Sequence, residues 1–159
     1  MSQLSEMMAR YAQAGRVDAI LLRPERHAPM QSVERVQITE AGLDGDRARA
    51  GKRALSLIQA EHLPVIAALA GLDKVAPETL RRNIVVSGLN LAAFKGTRVK
   101  LGSAVIELTV PCHPCSQMEK ALGHGGYSAM RGHGGMCATV IEPGELAIGD
   151  TLQPLDPAT

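Results

Sequence analysis

Hydrophobic and polar residues alternate most regularly in the middle of the chain. The stretch from Thr97 to Leu101 alternates residue by residue, and the stretch from Ala104 to Val110 places every second residue on one apolar face. A period of two is typical of half-buried β-strands. The Gly102-Ser103 pair that separates the two stretches is short enough for a tight turn, so the pattern predicts an antiparallel hairpin.

Other stretches show the same strand pattern or a helical one, bounded by glycine and proline. Further strands are predicted at Val17 to Leu22, Val33 to Thr39, Ala54 to Ile58, Ile84 to Ser87, Met136 to Glu142 and within Leu146 to Leu155. Helices are predicted at Leu4 to Ala14, Gln59 to Ala70 and Ser116 to Leu122, and a glycine-rich loop at His124 to Gly135. Gly71 is the expected stop of the second helix.

Six or seven short strands with two or three irregularly placed helices indicate a mainly β fold. We expect a β-barrel, mostly antiparallel, with a few short helices. Residues 1–16 should form an N-terminal arm or short helix, and residues 17–155 should form the barrel domain.

The composition is that of an ordinary globular domain. The 159-residue chain is 45% hydrophobic, carries a net charge of +1 and contains only two tyrosines and one phenylalanine as aromatic residues. The aromatic platforms of single-strand nucleic-acid binders are therefore missing. The longest apolar run, Val65 to Leu72, is far shorter than the roughly 20 residues that span a bilayer. Met1 to Arg16 lacks the apolar centre of a signal peptide. We expect a cytoplasmic protein that binds neither nucleic acid nor membrane, and its oligomeric state stays open.

The cysteines are the first candidates for chemistry. Three cysteines without a secretory signal are expected to be reduced thiols. Two of them, Cys112 and Cys115, lie in a Cys-His-Pro-Cys segment between a predicted strand and a predicted helix. Ser116 and Glu119 match a capping box, which would place Cys115 next to the positive end of the helix and favour its thiolate. Buried cysteines that only fill space are the alternative.

Metal binding and anion binding are further interpretations. Cys112 and Cys115 supply one half of a zinc site, and His113, His124, His133 or Cys137 could contribute to the other half, although no second ligand motif completes it. In the glycine-rich loop, backbone N–H groups could converge on an anion. Arg47, Arg81 and Arg131 could contact a phosphate in bidentate fashion. Cys137 and Asp150 are expected to have structural roles.

Several segments in order resemble the MOSC domain, the family named for the C-terminal part of molybdenum cofactor sulfurase. The similarity runs from about Val17 to Leu155. It is carried by the segments Gly42 to Arg47, Arg81 to Gly88, Gly102, Cys112 to Cys115, Gly125 to Gly135 and Gly149-Asp150.

The resemblance implies a barrel of the MOSC or PK β-barrel type with a functional cysteine. That cysteine falls on Cys115, with Cys112 as the second candidate, and it would act as a persulfide carrier or as a ligand of molybdenum. The resemblance implies that Arg81 and Asn83 contact the cofactor. The full set of candidate cofactor-binding residues is Arg81, Asn83, Arg47, Asp46, Arg131, Gly134 and Gly135.

The implied function is binding of a molybdenum–pterin cofactor or transport of sulfur for metal–sulfur cofactor assembly. Sulfurase relatives carry a pyridoxal-phosphate desulfurase domain, so here pyridoxal phosphate would act only through a separate cysteine desulfurase. A molybdoenzyme is the other expected partner. Two alternatives remain, namely a non-catalytic Cys/His metal-binding module and a component of an amidoxime-type reductase, whose relatives have proline at the place of Arg82.

Overall fold

The computed structural model describes residues 2–155 and shows eleven short strands and five short helices in that range. The strands are β1 (Gly15–Leu22), β2 (Gln31–Val33), β3 (Arg35–Thr39), β4 (Gly42–Leu43), β5 (Leu55–Gln59), β6 (Ile84–Ser87), β7 (Arg98–Leu101), β8 (Ala104–Pro111), β9 (Met136–Glu142), β10 (Gly144–Ala147) and β11 (Thr151–Pro154). The helices are α1 (Gln3–Met8), α2 (His62–Ala70), α3 (Pro77–Leu80), α4 (Ser116–Leu122) and α5 (Gly126–Met130), with a 3-10 turn at Leu91–Phe94.

Seven of the strands close into a barrel. Their order is β11-β7-β8-β9-β5-β6-β1, and β1 pairs with β11 to complete the ring. All of these pairings are antiparallel except the one between β5 and β6. A small second sheet, β10-β3-β4, lies beside the barrel. The predicted fold class, a mostly antiparallel β-barrel with a few short helices, is confirmed.

Two apolar clusters hold this arrangement together. The larger one fills the barrel with side chains from the inner faces of the strands, such as Ile106 and Leu108, which are fully buried. The second cluster lies under the helices and joins Ile66, Leu80 and Met118 to the outer face of β5 and β6. Because removal of apolar surface from water drives folding, the helices are held to the barrel mainly by this second cluster.

Several element boundaries differ from the sequence predictions. The first helix ends at Met8 rather than Ala14, and it has no buried residue to extend its packing. The stretch 33–39 is divided at Glu34 between two sheets, and the closing segment contains the separate strands β10 and β11. The predicted glycine-rich loop contains α5. Gly71 does end α2, in the left-handed conformation with φ 73° and ψ 28°.

The predicted capping box does not form. Cys115, and not Ser116, is the N-cap residue of α4, and it makes no side-chain cap hydrogen bond. Glu119 turns away from its own helix and accepts hydrogen bonds from the backbone N–H groups of Gly125 and Tyr127. The Tyr127 and Gly125 bonds lower the pKa of the Glu119 carboxyl. This carboxylate therefore stabilises the start of α5 and connects it to α4, because the first N–H groups of a helix lack internal partners.

A one-residue bulge in β8 changes which side chains face each other across β8 and β9. Before the bulge Leu108 pairs with Ala138, and after it Pro111 pairs with Met136. Directly opposed residues share a face of a sheet, so a shift of one residue moves every following side chain to the other face. As a result, Cys112 projects from the same face as Cys137, whereas the unshifted register would separate them.

Gly135 permits the close approach of two strands at this point. Its φ is +96°, and a Cβ atom there would lie 2.0 Å from the carbonyl oxygen of Leu57. Its own carbonyl accepts a hydrogen bond of 2.8 Å from the backbone N–H of Cys112. Both its conformation and the space around it thus require glycine.

Within residues 2–155, no helix combines the length and the apolar character needed to cross a membrane.

Replacing Gly135 with alanine should destabilise the protein strongly, because the new methyl group would meet the Leu57 carbonyl and the backbone would be strained. Gly71→Ala is the matched control, since Gly71 has a positive φ of 73° but no atom within 4 Å of its would-be Cβ. Urea unfolding should show a loss of about 1–2 kcal/mol for Gly71→Ala and at least about 2 kcal/mol more for Gly135→Ala. Equal losses in the two variants would contradict the close-approach argument.

Candidate functional site

A basic cavity opens at one end of the barrel, with a volume of about 770 Å³. Its lining contains seven cationic side chains and one carboxylate, Asp46, within the described chain. We call it the basic cavity. The cationic residues are Arg23, Arg47, Arg49, Lys52, Arg53, Arg81 and Arg82. Such a concentration of one charge sign favours an anionic ligand.

Asp46 holds two loops of the cavity wall together. Its Oδ1 accepts a hydrogen bond of 2.6 Å from the backbone N–H of Arg23. The backbone N–H of Arg47 donates to the Arg23 carbonyl, and Nη2 of Arg23 donates to the Arg47 carbonyl at 3.0 Å. The carboxylate therefore positions the two arginines rather than lining the cavity as a free acid.

Arg81 and Arg23 each have a buried nitrogen atom without a hydrogen-bond partner among residues 2–155. Nη1 of Arg81 donates to the Ala28 carbonyl at 2.7 Å, which fixes the guanidinium. Among the described residues, however, Nη2 of Arg81 and Nε of Arg23 are buried without any hydrogen-bond partner. Unpaired buried donors are costly, and both arginines line the basic cavity.

Arg82 has a different role, although it is next in the sequence. Its Nε donates to the Gly134 carbonyl at 2.7 Å, Nη1 donates to the Leu80 carbonyl at 3.0 Å, and Nη2 lies 3.5 Å from the Cys112 carbonyl. A Cβ atom at Gly134 would lie 2.5 Å from that same Cys112 carbonyl. Arg82 thus ties the start of β6 to the two segments that carry Cys112 and Gly134.

Asn83 is buried, and its side chain is used inside the protein. Nδ2 donates to the Leu21 carbonyl at 3.2 Å, and Oδ1 accepts from the backbone N–H and the hydroxyl of Ser56, each at 3.2 Å. These bonds join β1, β5 and the start of β6 beneath the cavity. Although Asn83 is part of the cavity lining, its visible role is to position the neighbouring strands.

Two cysteines meet at the floor of the basic cavity. The sulfur atoms of Cys112 and Cys137 are 2.9 Å apart, and either can be the hydrogen donor. The residues are 8% and 6% exposed, and both are free thiols that line the cavity. We call these two residues the thiol pair. Cys112 also lines a smaller cavity of about 200 Å³.

The thiol pair holds its two protons unequally. The hydrogen bond donated by the Cys112 thiol lowers the pKa of Cys137 to about 7, burial opposes this shift, and the charges of Arg53 and Arg82 add to it. The same hydrogen bond and burial raise the pKa of Cys112. The pair therefore releases one proton near neutral pH and retains the other, with the negative charge shared across the sulfur–sulfur contact. A thiolate is the form that attacks sulfur or binds a soft metal.

Cys115 lies outside the basic cavity. It is exposed at the start of α4. A second basic cavity of about 240 Å³ is lined by Arg23, Arg47, Arg81 and Gln117. Gln117 follows Cys115 by two residues. None of these three cavity linings includes Arg131, which is exposed at the end of α5.

No group of three or more His, Cys, Asp or Glu side chains in residues 2–155 is arranged to hold a metal ion. A structural zinc site requires four ligands, so the alternative of a Cys/His metal-binding module gains no support from the structure.

Sequence reasoning assigned Cys137 a structural role and overlooked Arg23 and Arg53 as parts of the site. Cys137 is one of seven residues of a strand, and nothing local in β9 marks it. Its significance depends on the bulge in β8, which brings Cys112 to the same face. The arginines lie in loops that are far apart in the sequence and meet only when the barrel closes.

Comparisons with known proteins agree with this architecture. The structure of YuaD from Bacillus subtilis matches with a TM-score of 0.76 at 18% identity, over 88% of this chain and 94% of that one. YiiM from Escherichia coli matches with a TM-score of 0.70 at 23% identity, over 89% of this chain and 70% of that one. YiiM from Geobacillus stearothermophilus matches with a TM-score of 0.74 at 16% identity, over 89% and 75%. No curated protein sequence matches significantly.

The family model described as MOSC domain matches residues 39–153, a range that includes the thiol pair and most of the basic cavity. The chain therefore belongs to the MOSC domain family, which is associated with the molybdenum cofactor and with sulfur chemistry.

Proposed function

We propose that this protein binds a phosphate-bearing molybdenum–pterin cofactor in the basic cavity and carries sulfur for it as a persulfide on Cys112. The observation that supports the proposal is the position of the thiol pair on the floor of a cavity lined by seven cationic side chains. A cavity of this charge selects an anion, and a thiolate at its base supplies the sulfur chemistry.

The residues of the cavity suit the cofactor in charge and in ligand chemistry. Within the described part of the chain, the buried Nε of Arg23 and Nη2 of Arg81 lack hydrogen-bond partners, and a phosphate provides the oxygen acceptors that such donors require. Thiolate is also a ligand that suits soft transition metals. When bound, the cofactor would supply molybdenum as the centre that takes up sulfur, while Arg23, Arg47 and Arg81 would hold its phosphate.

Sulfur would reach Cys112 by exchange with an external persulfide. The Cys112 thiol passes its proton to the Cys137 thiolate across their contact. The Cys112 sulfur then attacks the outer sulfur of the donor persulfide, a new sulfur–sulfur bond forms on Cys112, and the donor leaves as a thiolate. No net oxidation occurs, because one sulfur atom moves from one thiol to another. A pyridoxal-phosphate-dependent cysteine desulfurase would be the donor, and a molybdoenzyme would receive the sulfur-loaded cofactor.

Arg82 prepares Cys112 for this role. Its guanidinium lies against the carbonyls of Cys112 and Gly134, so the backbone around the thiol is fixed before a ligand binds. Its positive charge also favours the thiolate of the pair. The thiol is thereby held in place within the cavity, and bulk water has little access to it.

Cys115 as carrier or molybdenum ligand stays a prediction from the sequence. Its exposed position would let a large donor protein reach it directly, and Gln117 brings the start of α4 to the wall of the second basic cavity. The position of Cys112 inside the basic cavity is the stronger argument for sulfur delivery to a bound anion.

Replacing Cys112 with serine should abolish sulfur uptake, because the proposed nucleophile is lost while the polar contact to Cys137 is kept. The measurement is the donor thiol released per chain when the protein is treated with a low-molecular-weight persulfide without oxygen. Wild type should release one donor thiol per chain, and Cys112→Ser should release almost none. If Cys115→Ser loses uptake while Cys112→Ser keeps it, the carrier is Cys115 and this assignment is wrong.

Replacing Arg81 with glutamine should weaken cofactor binding by at least about tenfold, since a charge-assisted hydrogen bond contributes about 1.5–3 kcal/mol. The cofactor released from a purified molybdoenzyme serves as the probe, and the pterin that stays with the protein after gel filtration is measured by fluorescence. Arg23→Gln should behave in the same way.

Arg98→Gln is the matched control, because Arg98 is exposed on β7 outside the basic cavity. Arg131→Gln tests the phosphate contact that the sequence predicted for Arg131. Equal retention by the Arg81, Arg23 and Arg98 variants would contradict the phosphate site, and a loss confined to Arg131→Gln would move it to α5.

A further inference from the structure

We infer that Cys137 is the resolving thiol of this site: it displaces the sulfur carried by Cys112 as hydrosulfide inside the basic cavity and leaves a Cys112–Cys137 disulfide. The inference rests on the proposed function, because it needs Cys112 to accept sulfur first. It adds a released product, hydrosulfide, and a second reacting cysteine.

The geometry of the two strands carries the inference. The sulfur atoms are 2.9 Å apart across the β8–β9 pairing, and a disulfide bond is about 2.05 Å long. A small movement of the two side chains would therefore bring the sulfur atoms from their present distance to the length of a disulfide bond. The bulge between Leu108 and Pro111 is what sets both side chains on one face, so the contact is built into the register of the barrel.

The surroundings of the pair favour reaction within the pair. Both residues are buried and line the same cavity, whereas the third cysteine, Cys115, is exposed outside it. A persulfide on Cys112 would thus meet the sulfur of Cys137 before it met an external thiol. Arg53 and Arg82 act electrostatically on both sulfur atoms, and their positive charges would also favour the departing hydrosulfide anion.

The step balances without a further reactant. The Cys137 thiolate attacks the inner sulfur of the Cys112 persulfide, the bond between the two sulfur atoms of the persulfide breaks, and the outer sulfur leaves as hydrosulfide. That outer sulfur gains two electrons, and the two cysteines lose two electrons as they form the disulfide. A dithiol reductant from outside, of the kind that reduces exposed disulfides, must then restore both thiols.

Such a step would make the protein a source of hydrosulfide at the anion site. The released ion would arise among the cationic side chains that hold the bound ligand, so an acceptor in the cavity would meet it at high local concentration. The fitting substrate class is a persulfide small or extended enough to reach the floor of the cavity.

Three variants test this inference. Wild type, Cys137→Ser and Cys137→Ala are reduced, treated with glutathione persulfide without oxygen, freed from excess reagent by gel filtration, and analysed by intact mass, peptide mapping and hydrosulfide release. Wild type should release up to one hydrosulfide per chain, become lighter by two hydrogens and contain the Cys112–Cys137 bond. Both Cys137 variants should retain one added sulfur atom on Cys112 and lose hydrosulfide release.

Thermal unfolding of each variant verifies that it is folded. Hydrosulfide release from the Cys137 variants at the wild-type rate would overturn the inference, as would a disulfide between Cys112 and Cys115 in wild type. Sulfur that stays on Cys112 in wild type without release would overturn it as well, while leaving the proposed function intact. Absence of sulfur uptake in wild type and in all variants would overturn the proposed function together with the inference.

Discussion

The register between β8 and β9 is the constraint on which the site depends. The pleat of a sheet gives each side chain one of two faces, and a single extra residue reverses the choice for everything that follows. In this barrel the bulge after Leu108 brings Cys112 and Cys137 together. Gly135 then lets the neighbouring strand approach, because no side chain could occupy the space beside the Leu57 carbonyl. The chemistry of two sulfur atoms thus follows from backbone geometry.

The positive charge of the basic cavity is a second physical constraint on the same site. Among residues 2–155, seven cationic side chains around the basic cavity repel each other, and the one carboxylate in its lining, Asp46, accepts a hydrogen bond from a backbone N–H. The repulsion is a cost to the folded protein that a bound anion would relieve, so ligand binding and stability should be linked. The hydrogen bond from Cys112 is the main cause of the lowered pKa of Cys137, burial opposes it, and the positive charges of Arg53 and Arg82 add to it. The positive charges around the basic cavity therefore act both on a bound anion and on the thiol pair.

The fold was largely predictable from the sequence, and the site only in part. Alternation in residues 97–110 and the glycine stop at Gly71 depend on local periodicity and local conformation, and both were confirmed by the structure. The capping box at Ser116 was wrong because Glu119 found better partners in α5, which the glycine-rich sequence did not indicate. The partnership of Cys137 with Cys112 could not be predicted, since it requires the position of a bulge. Asn83 was predicted to contact a cofactor, and in the structure its side chain makes hydrogen bonds with Leu21 and Ser56.

The backbone conformation of Arg81 indicates that this part of the anion site is ordered before a ligand binds. This residue adopts a left-handed conformation with φ 58°, which residues other than glycine rarely adopt and which costs about 1–2 kcal/mol. The surrounding structure holds it there, with the guanidinium fixed on the Ala28 carbonyl. The cost of ordering the arginine is thus met during folding and does not recur when an anion arrives. The anion should accordingly bind to a preformed site without a conformational change of the protein. Its affinity should then be governed mainly by its dissociation rate.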